Sequence, residues 1–307
     1  MQDLDSDGLH NFAQLFIACY TLGLGGYLIG RVANRRPIEG AQVRRLLVFM
    51  GVYVVIYVVL AAPPVVLMAA LSAIGWQATR ELFDAYRHQM ENPQRLSRTV
   101  SLLLAIGVPF VAGFWPHYLT TFLFGGLGLL IVLPLFNQDY QHALNRIGCG
   151  ALSVLFAANM SALLYVQRLP QGVALGWLVA SLIAATDGFS IMFGGMFGRR
   201  YLIPKISPRK TVEGALFTLI AMPVMAYLLS ETLRLPMPVG GWIAIGLITC
   251  GLAQVGDLIA STFKRDAGIK DYGRLFPYQG GVLDRFDSYI LTAPVFYVIV
   301  AAWLGAP

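Results

Sequence analysis

The sequence predicts an all-α, polytopic integral membrane protein with about ten transmembrane helices. Three observations carry that reading. Hydrophobic residues make up 57% of the 307 positions and charged residues only 12%, and the mean hydropathy is +0.66. Apolar runs recur along nearly the whole chain, without the apolar/polar alternation of a transmembrane barrel. The basic residues are also sorted: all but two of the 22 Lys and Arg residues, Arg168 and Arg234, fall into alternate loops, as the excess of positive charge in cytoplasmic loops requires.

The expected spans cover about 11–30, 46–61, 64–76, 100–114, 118–136, 148–166, 172–193, 212–230, 239–262 and 283–304. Pro63-Pro64 in the 46–76 run favours a tight re-entry over one long helix, and Pro109 predicts a kink in the fourth span. Loops 31–45, 77–99, 137–147, 194–211 and 263–282, together with Arg285, hold the basic residues. That sorting puts both termini on the non-cytoplasmic side.

Orientation and attraction to anionic headgroups account for much of the net charge of +6, so it does not call for nucleic acid. Cys19, Cys149 and Cys250 sit in apolar runs without ligand spacing, which argues against a disulfide framework and a zinc site. The acidic first residues lack the basic start of a signal peptide, so no cleavage is expected. Residues 1–147 read as a helical region forming a lipid cavity or the contacts of a homodimer. Residues 148–307 read as the helical catalytic region.

Polarity concentrates at one face. Residues 261–287 hold nine charged residues in 27 positions, and charge beside a bilayer is costly enough to mark function. Gln254, Asp257, Ser261 and Lys264 fall on one helical stripe of the ninth span. Asp284, Asp287 and Ser288 form another at the start of the tenth, after Gly280-Gly281. Two carboxylate stripes at one depth can converge on a hard divalent cation such as Mg2+, which takes oxygen ligands and keeps places for phosphate and water. The competing reading is structural ion pairing with Arg265, Arg274 and Arg285.

The Gly-Gly pair before a helix start leaves N–H groups open to an anion. Lys264, Arg265, Lys270 and Arg274 supply charge for a triphosphate. Upstream, Asp187, Ser190 and Gly194 share a face, and Gly194, Gly195 and Gly198 permit close approach of a helix or acyl chain. A turn is expected at Ser207-Pro208. Thr211 is a candidate cap of the eighth span, and plain capping also accounts for Glu213.

These residues resemble the signature of the phosphatidate cytidylyltransferase (CDP-diacylglycerol synthase) family. Ser261, Lys264-Arg265, Lys270-Asp271, Gly273, Pro277, Gly280-Gly281, Asp284-Arg285 and Asp287 match it in register, as do Gly256-Asp257 and the run Ser207-Pro208-Arg209-Lys210-Thr211 with Glu213-Gly214. The likeness covers about the last 100 residues; the first 150 resemble the family only as a string of helices. It implies Mg2+-dependent transfer of a cytidylyl group from CTP to phosphatidate, with Asp257 and Asp284 at the metal-ligand positions, at the cytoplasmic face of a bacterial inner membrane. Lys264, Lys270 and Asp287 would complete the catalytic set. Ser261, Arg265, Asp271, Gln279, Gly280, Gly281, Arg285, Ser207, Lys210, Thr211, Glu213 and Asp187 would surround the substrates.

Three positions depart from the pattern: Gln279 stands where the family has His, Tyr278 where it usually has Gly, and Ile191 where an aromatic is common. Gln donates and accepts hydrogen bonds but does not titrate. The departures point to a divergent member, and leave two alternatives: an enzyme acting on another lipid phosphate of isoprenoid type, or an impaired homologue serving as an assembly partner. A transporter would spread its carboxylates across the bilayer depth, whereas here they gather at one end.

Overall fold

The computed structural model describes residues 40–90, 95–136, 142–277 and 279–305. The expected span at 11–30, and Tyr278, lie outside them. The first described helix, α1 (Gly40–Ala61), stops at the proline pair, and α2 begins at Pro64 and runs to Ala85. Pro63 is extended, at φ −53° and ψ 148°, and Pro64 occupies the first turn of α2. Proline lacks the N–H a helix interior needs but fits a first turn, so the pair ends one helix and starts the next. The helix expected at 64–76 is therefore longer, and its last turns carry Arg80, Glu81 and Asp84.

Then come α3 (Arg95–Phe114), α4 (Leu119–Phe136), α5 (Ala143–Met160), α6 (Ala162–Arg168) and α7 (Gly172–Phe197). A small hairpin, β1 (Tyr201–Ile203) and β2 (Ser207–Thr211), leads to α8 (Val212–Thr232) and α9 (Val239–Asp266). The chain ends in a short α10 (Leu283–Phe286) and α11 (Tyr289–Leu304). Seven stretches among the described residues are long and apolar enough to cross a membrane: Arg95–Phe114, Pro116–Phe136, Ala143–Arg168, Gly172–Phe197, Val212–Thr232, Val239–Asp266 and Leu283–Leu304. They correspond to seven of the ten expected spans, and Leu47–Ala61 is a shorter apolar helix. Pro109 lies inside α3, which continues through it.

The bundle is centred on α7. Its residues from Ala174 to Ala184 are all buried, so this helix is apolar all round, as an interior helix should be. α1 is tied to it by Trp177 Nε1, which donates to the Tyr57 carbonyl at 3.0 Å, and by the Tyr57 and Ser181 hydroxyls, 2.9 Å apart. On α8, a Cβ at Gly214 would lie 2.8 Å from the Gly194 Cα. The small residues thus let α7 and α8 meet backbone to backbone, as expected for Gly194; Gly195 faces open space.

The turn expected at Ser207-Pro208 lies instead at Ile203–Ile206, where the Ile206 N–H donates to the Ile203 carbonyl at 3.1 Å. Pro204 pre-sets its own φ for that turn, and Ser207-Pro208 becomes the start of the return strand. Tyr201 pairs with Thr211 and Ile203 with Ser207.

Candidate active site

Four elements bring the polar residues together: the C-terminal half of α9, the loop after it, the start of the last span at α10, and the hairpin strand β2. A Cβ at Gly256 would sit 2.7 Å from the Asp287 carbonyl. Glycine there lets α9 and the last span touch at the level of their carboxylates.

Asp284 sits in a closed cradle. Its side chain is 3% exposed, and Lys264 Nζ donates to Oδ1 at 2.8 Å. Oδ2 accepts the N–H of Tyr272 at 2.7 Å and of Gly281 at 2.9 Å. Gly280, with φ +88°, could not carry a side chain here: a Cβ would fall 2.5 Å from Asp284 Oδ2. Lys264 also lies 5.6 Å from the centre of the Tyr272 ring. Burial, with the Tyr86 hydroxyl nearby, pushes the Tyr272 phenol above the ordinary tyrosine range, so it stays a neutral donor, here to the Ala260 carbonyl at 3.3 Å.

Asp257 is more open. Lys210 Nζ, reaching in from β2, lies 2.6 Å from Oδ2, with the two side chains 20% and 25% exposed. Ser261 Oγ donates to Oδ1 at 3.3 Å, as the stripe on α9 anticipates. Asp287 is buried and accepts the Ser288 N–H at 2.8 Å. It lies within electrostatic reach of Asp257, Lys264, Asp187 and Arg285, and Asp187 within reach of Asp257, Lys210 and Arg285. Among the described residues the ion pairs of Asp257 and Asp284 are therefore made by Lys210 and Lys264, not by the arginines of the competing reading.

Other candidates take supporting places. Arg265 donates to the Ile206 carbonyl at 3.1 Å and the Ile269 carbonyl at 3.0 Å, fastening the hairpin turn to the end of α9. Thr211 caps α8, its hydroxyl accepting the Gly214 N–H at 3.2 Å. Glu213 reaches back to the N–H groups of Arg199 and Arg200 at 3.0 and 3.1 Å. Gln279 is buried, and its Oε1 accepts from Arg285 Nη1 at 3.5 Å. Ser207 is half-buried in β2, while Lys270 and Asp271 stand exposed on the loop after α9.

The N–H groups expected to be open after Gly280-Gly281 are already occupied. Gly281 donates to Asp284, and Val282 and Leu283 donate to Glu81 Oε1 and Oε2, each at 2.9 Å. Glu81, on α2, has no place in the sequence reading. A signal was present, because it is a carboxylate on the same helix face as the apolar residues Leu67, Leu71, Ala78 and Leu82. A second link, from the residue that caps the end of α2, is the Tyr86 hydroxyl, which donates to Asp266 Oδ2 at 2.9 Å.

Residues 43–303 match the model of the Cytidylyltransferase family. The chain belongs to that family. The match extends well upstream of the C-terminal signature and takes in α2 with Glu81.

Among its curated relatives, phosphatidate cytidylyltransferase 5, chloroplastic, of Arabidopsis thaliana is 32% identical over 76% of this chain and 66% of its own. Phosphatidate cytidylyltransferase 4, chloroplastic, of the same plant is 29% identical over 89% and 78%. The phosphatidate cytidylyltransferase of Bacillus subtilis is 38% identical over 39% of this chain and 45% of its own. The matched stretch thus spans about two thirds of the first plant relative and under half of the bacterial one.

Proposed function

We propose that this cytidylyltransferase-family protein transfers a cytidylyl group from CTP to phosphatidate, giving CDP-diacylglycerol and pyrophosphate, with its site at the cytoplasmic face of a bacterial inner membrane. One observation carries the reading. Asp257, Asp284 and Asp287 meet Lys210, Lys264 and Arg285 at one end of the bundle, where a membrane-bound phosphate and a soluble nucleotide can both arrive.

The donor set suits Mg2+. Among the described residues no three His, Cys, Asp or Glu side chains form a metal cage, and Mg2+ is ordinarily held by one or two carboxylates plus substrate phosphates and water. Asp257 and Asp284 are the residues we assign to it, each already in contact with a lysine ammonium. When bound, Mg2+ would neutralise phosphate charge.

In the reaction a phosphate oxygen of phosphatidate bonds to the α-phosphorus of CTP. The bond from that phosphorus to the oxygen bridging to the β-phosphate breaks, and pyrophosphate leaves with the electron pair. A phosphate monoester is largely anionic near neutral pH, so the nucleophile needs no strong base, and the non-titrating Gln279 is compatible with turnover. Lys210, Lys264 and Arg285 supply fixed positive charge for the triphosphate, and most of the rate comes from placement and electrostatics.

The test is CDP-diacylglycerol formation by the purified protein from labelled CTP and defined phosphatidate, with Mg2+ and with EDTA. Mg2+-dependent product from phosphatidate is expected. Turnover confined to isoprenoid phosphates, or product that persists in EDTA, would overturn the acceptor or the metal respectively.

A further inference from the structure

We infer that Glu81 is a positioning residue of this site: from α2 it fixes the start of the last span, and so the placement of Asp284 and Asp287 against α9. The inference rests on the reading of this end of the bundle as the catalytic site.

Glu81 is 4% exposed and more than 200 residues from the backbone N–H groups it holds. Its two oxygens take the N–H groups of Val282 and Leu283 separately, one each, at 2.9 Å. Gln77, one turn earlier on α2, donates Nε2 to Oε1 at 3.0 Å. Two loop glycines make room for the carboxylate, since a Cβ at Gly281 would lie 2.4 Å from Oε2 and one at Gly273 2.8 Å from Oε1.

With Gly281 donating to Asp284, three consecutive N–H groups at this junction are held by two carboxylates. A buried carboxylate is tolerated only when its lone pairs are satisfied, and one that accepts N–H donors at the start of a helix is further favoured by the helix dipole. Glu81 touches none of the cationic groups assigned to substrate. It acts through the backbone of residues 281–283, the peptide that carries Asp284.

The consequence is a split between affinity and rate. Removing Glu81 should leave Lys210 on β2 and Lys264 on α9 in place, while Asp284 and Asp287 lose their register. Glu81→Ala is expected to lower kcat about 100-fold with KM for CTP changed less than threefold. Amide exchange in the peptide spanning 280–286 should quicken at least tenfold, with α7 and α8 unaltered. Glu81→Gln, which keeps one acceptor oxygen, should fall between Glu81→Ala and the unsubstituted protein in both readouts. Should Glu81→Ala fail to fold, Gln77→Leu, which only removes a donor to Glu81, should move both readouts the same way by a smaller factor.

Exchange needs no substrate, so it separates the two claims. Unchanged exchange at 280–286, or faster exchange with unchanged kcat, overturns the role of Glu81. Failure of the unsubstituted protein to make CDP-diacylglycerol overturns the function and leaves the exchange result standing.

Discussion

Asp284 and Asp257 read alike in the sequence, two carboxylates near the membrane end of neighbouring helices, yet the structure places them in opposite settings. Asp284 is 3% exposed, and its oxygens are bonded to a lysine from α9 and two backbone N–H groups. Asp257 is 25% exposed, and its lysine arrives from a two-stranded hairpin outside the helix bundle. One is built into the scaffold. The other is partly exposed, its countercharge on a hairpin outside the helix bundle. The two carboxylates assigned to one ion thus start from different settings, Asp284 held by three donors and Asp257 by Lys210 and Ser261.

The sharpest way to break this contrast is Asp284→Asn. It leaves Lys264 buried without its carboxylate, a loss of about 3–5 kcal/mol for a broken buried pair, so thermal unfolding in detergent should drop steeply and activity should vanish with it. Equal melting of the variant and the unsubstituted protein would show that the cradle is not closed in solution.

Asp257→Asn should also abolish Mg2+-dependent pyrophosphate release. Its stability should change by only about 1 kcal/mol or less, because a partly exposed pair contributes little. If it melts as low as Asp284→Asn, the two settings are not distinct.

Lys210→Ala should leave the melt within the same narrow range. It should raise KM for CTP about tenfold by removing charge from the opening, as read from initial rates at varied CTP. The smallest effect on stability belongs to Thr211→Ala, which removes the cap on α8 and should cost about 1 kcal/mol, read from thermal unfolding.

Several local features were legible from the sequence because they depend on near neighbours. The Pro63-Pro64 break follows from a missing N–H, the Thr211 cap from a hydroxyl three residues before Gly214, and the Asp257–Ser261 contact from helical spacing. Seven of the ten spans were readable for the same reason. The turn was misplaced by a few residues because two prolines, Pro204 and Pro208, both suit turns, and only the pairing of Tyr201 with Thr211 decides between them. The open Gly-Gly anion site was also a reasonable local inference. It does not hold because the Gly281 N–H is taken by Asp284 and those of Val282 and Leu283 by Glu81, about 200 positions upstream.

By itself, then, the sequence determined that the chain is a helical membrane protein with its ionisable residues gathered at one end. Hydropathy, periodicity and charge bias are properties of short windows and need no partner. Only the tertiary structure decided which lysine neutralises which aspartate, and that Glu81 holds the start of the last span. Those pairings join α9 to α10, β2 to α9 and α2 to α10, and the spacing within one segment does not name its partner on another.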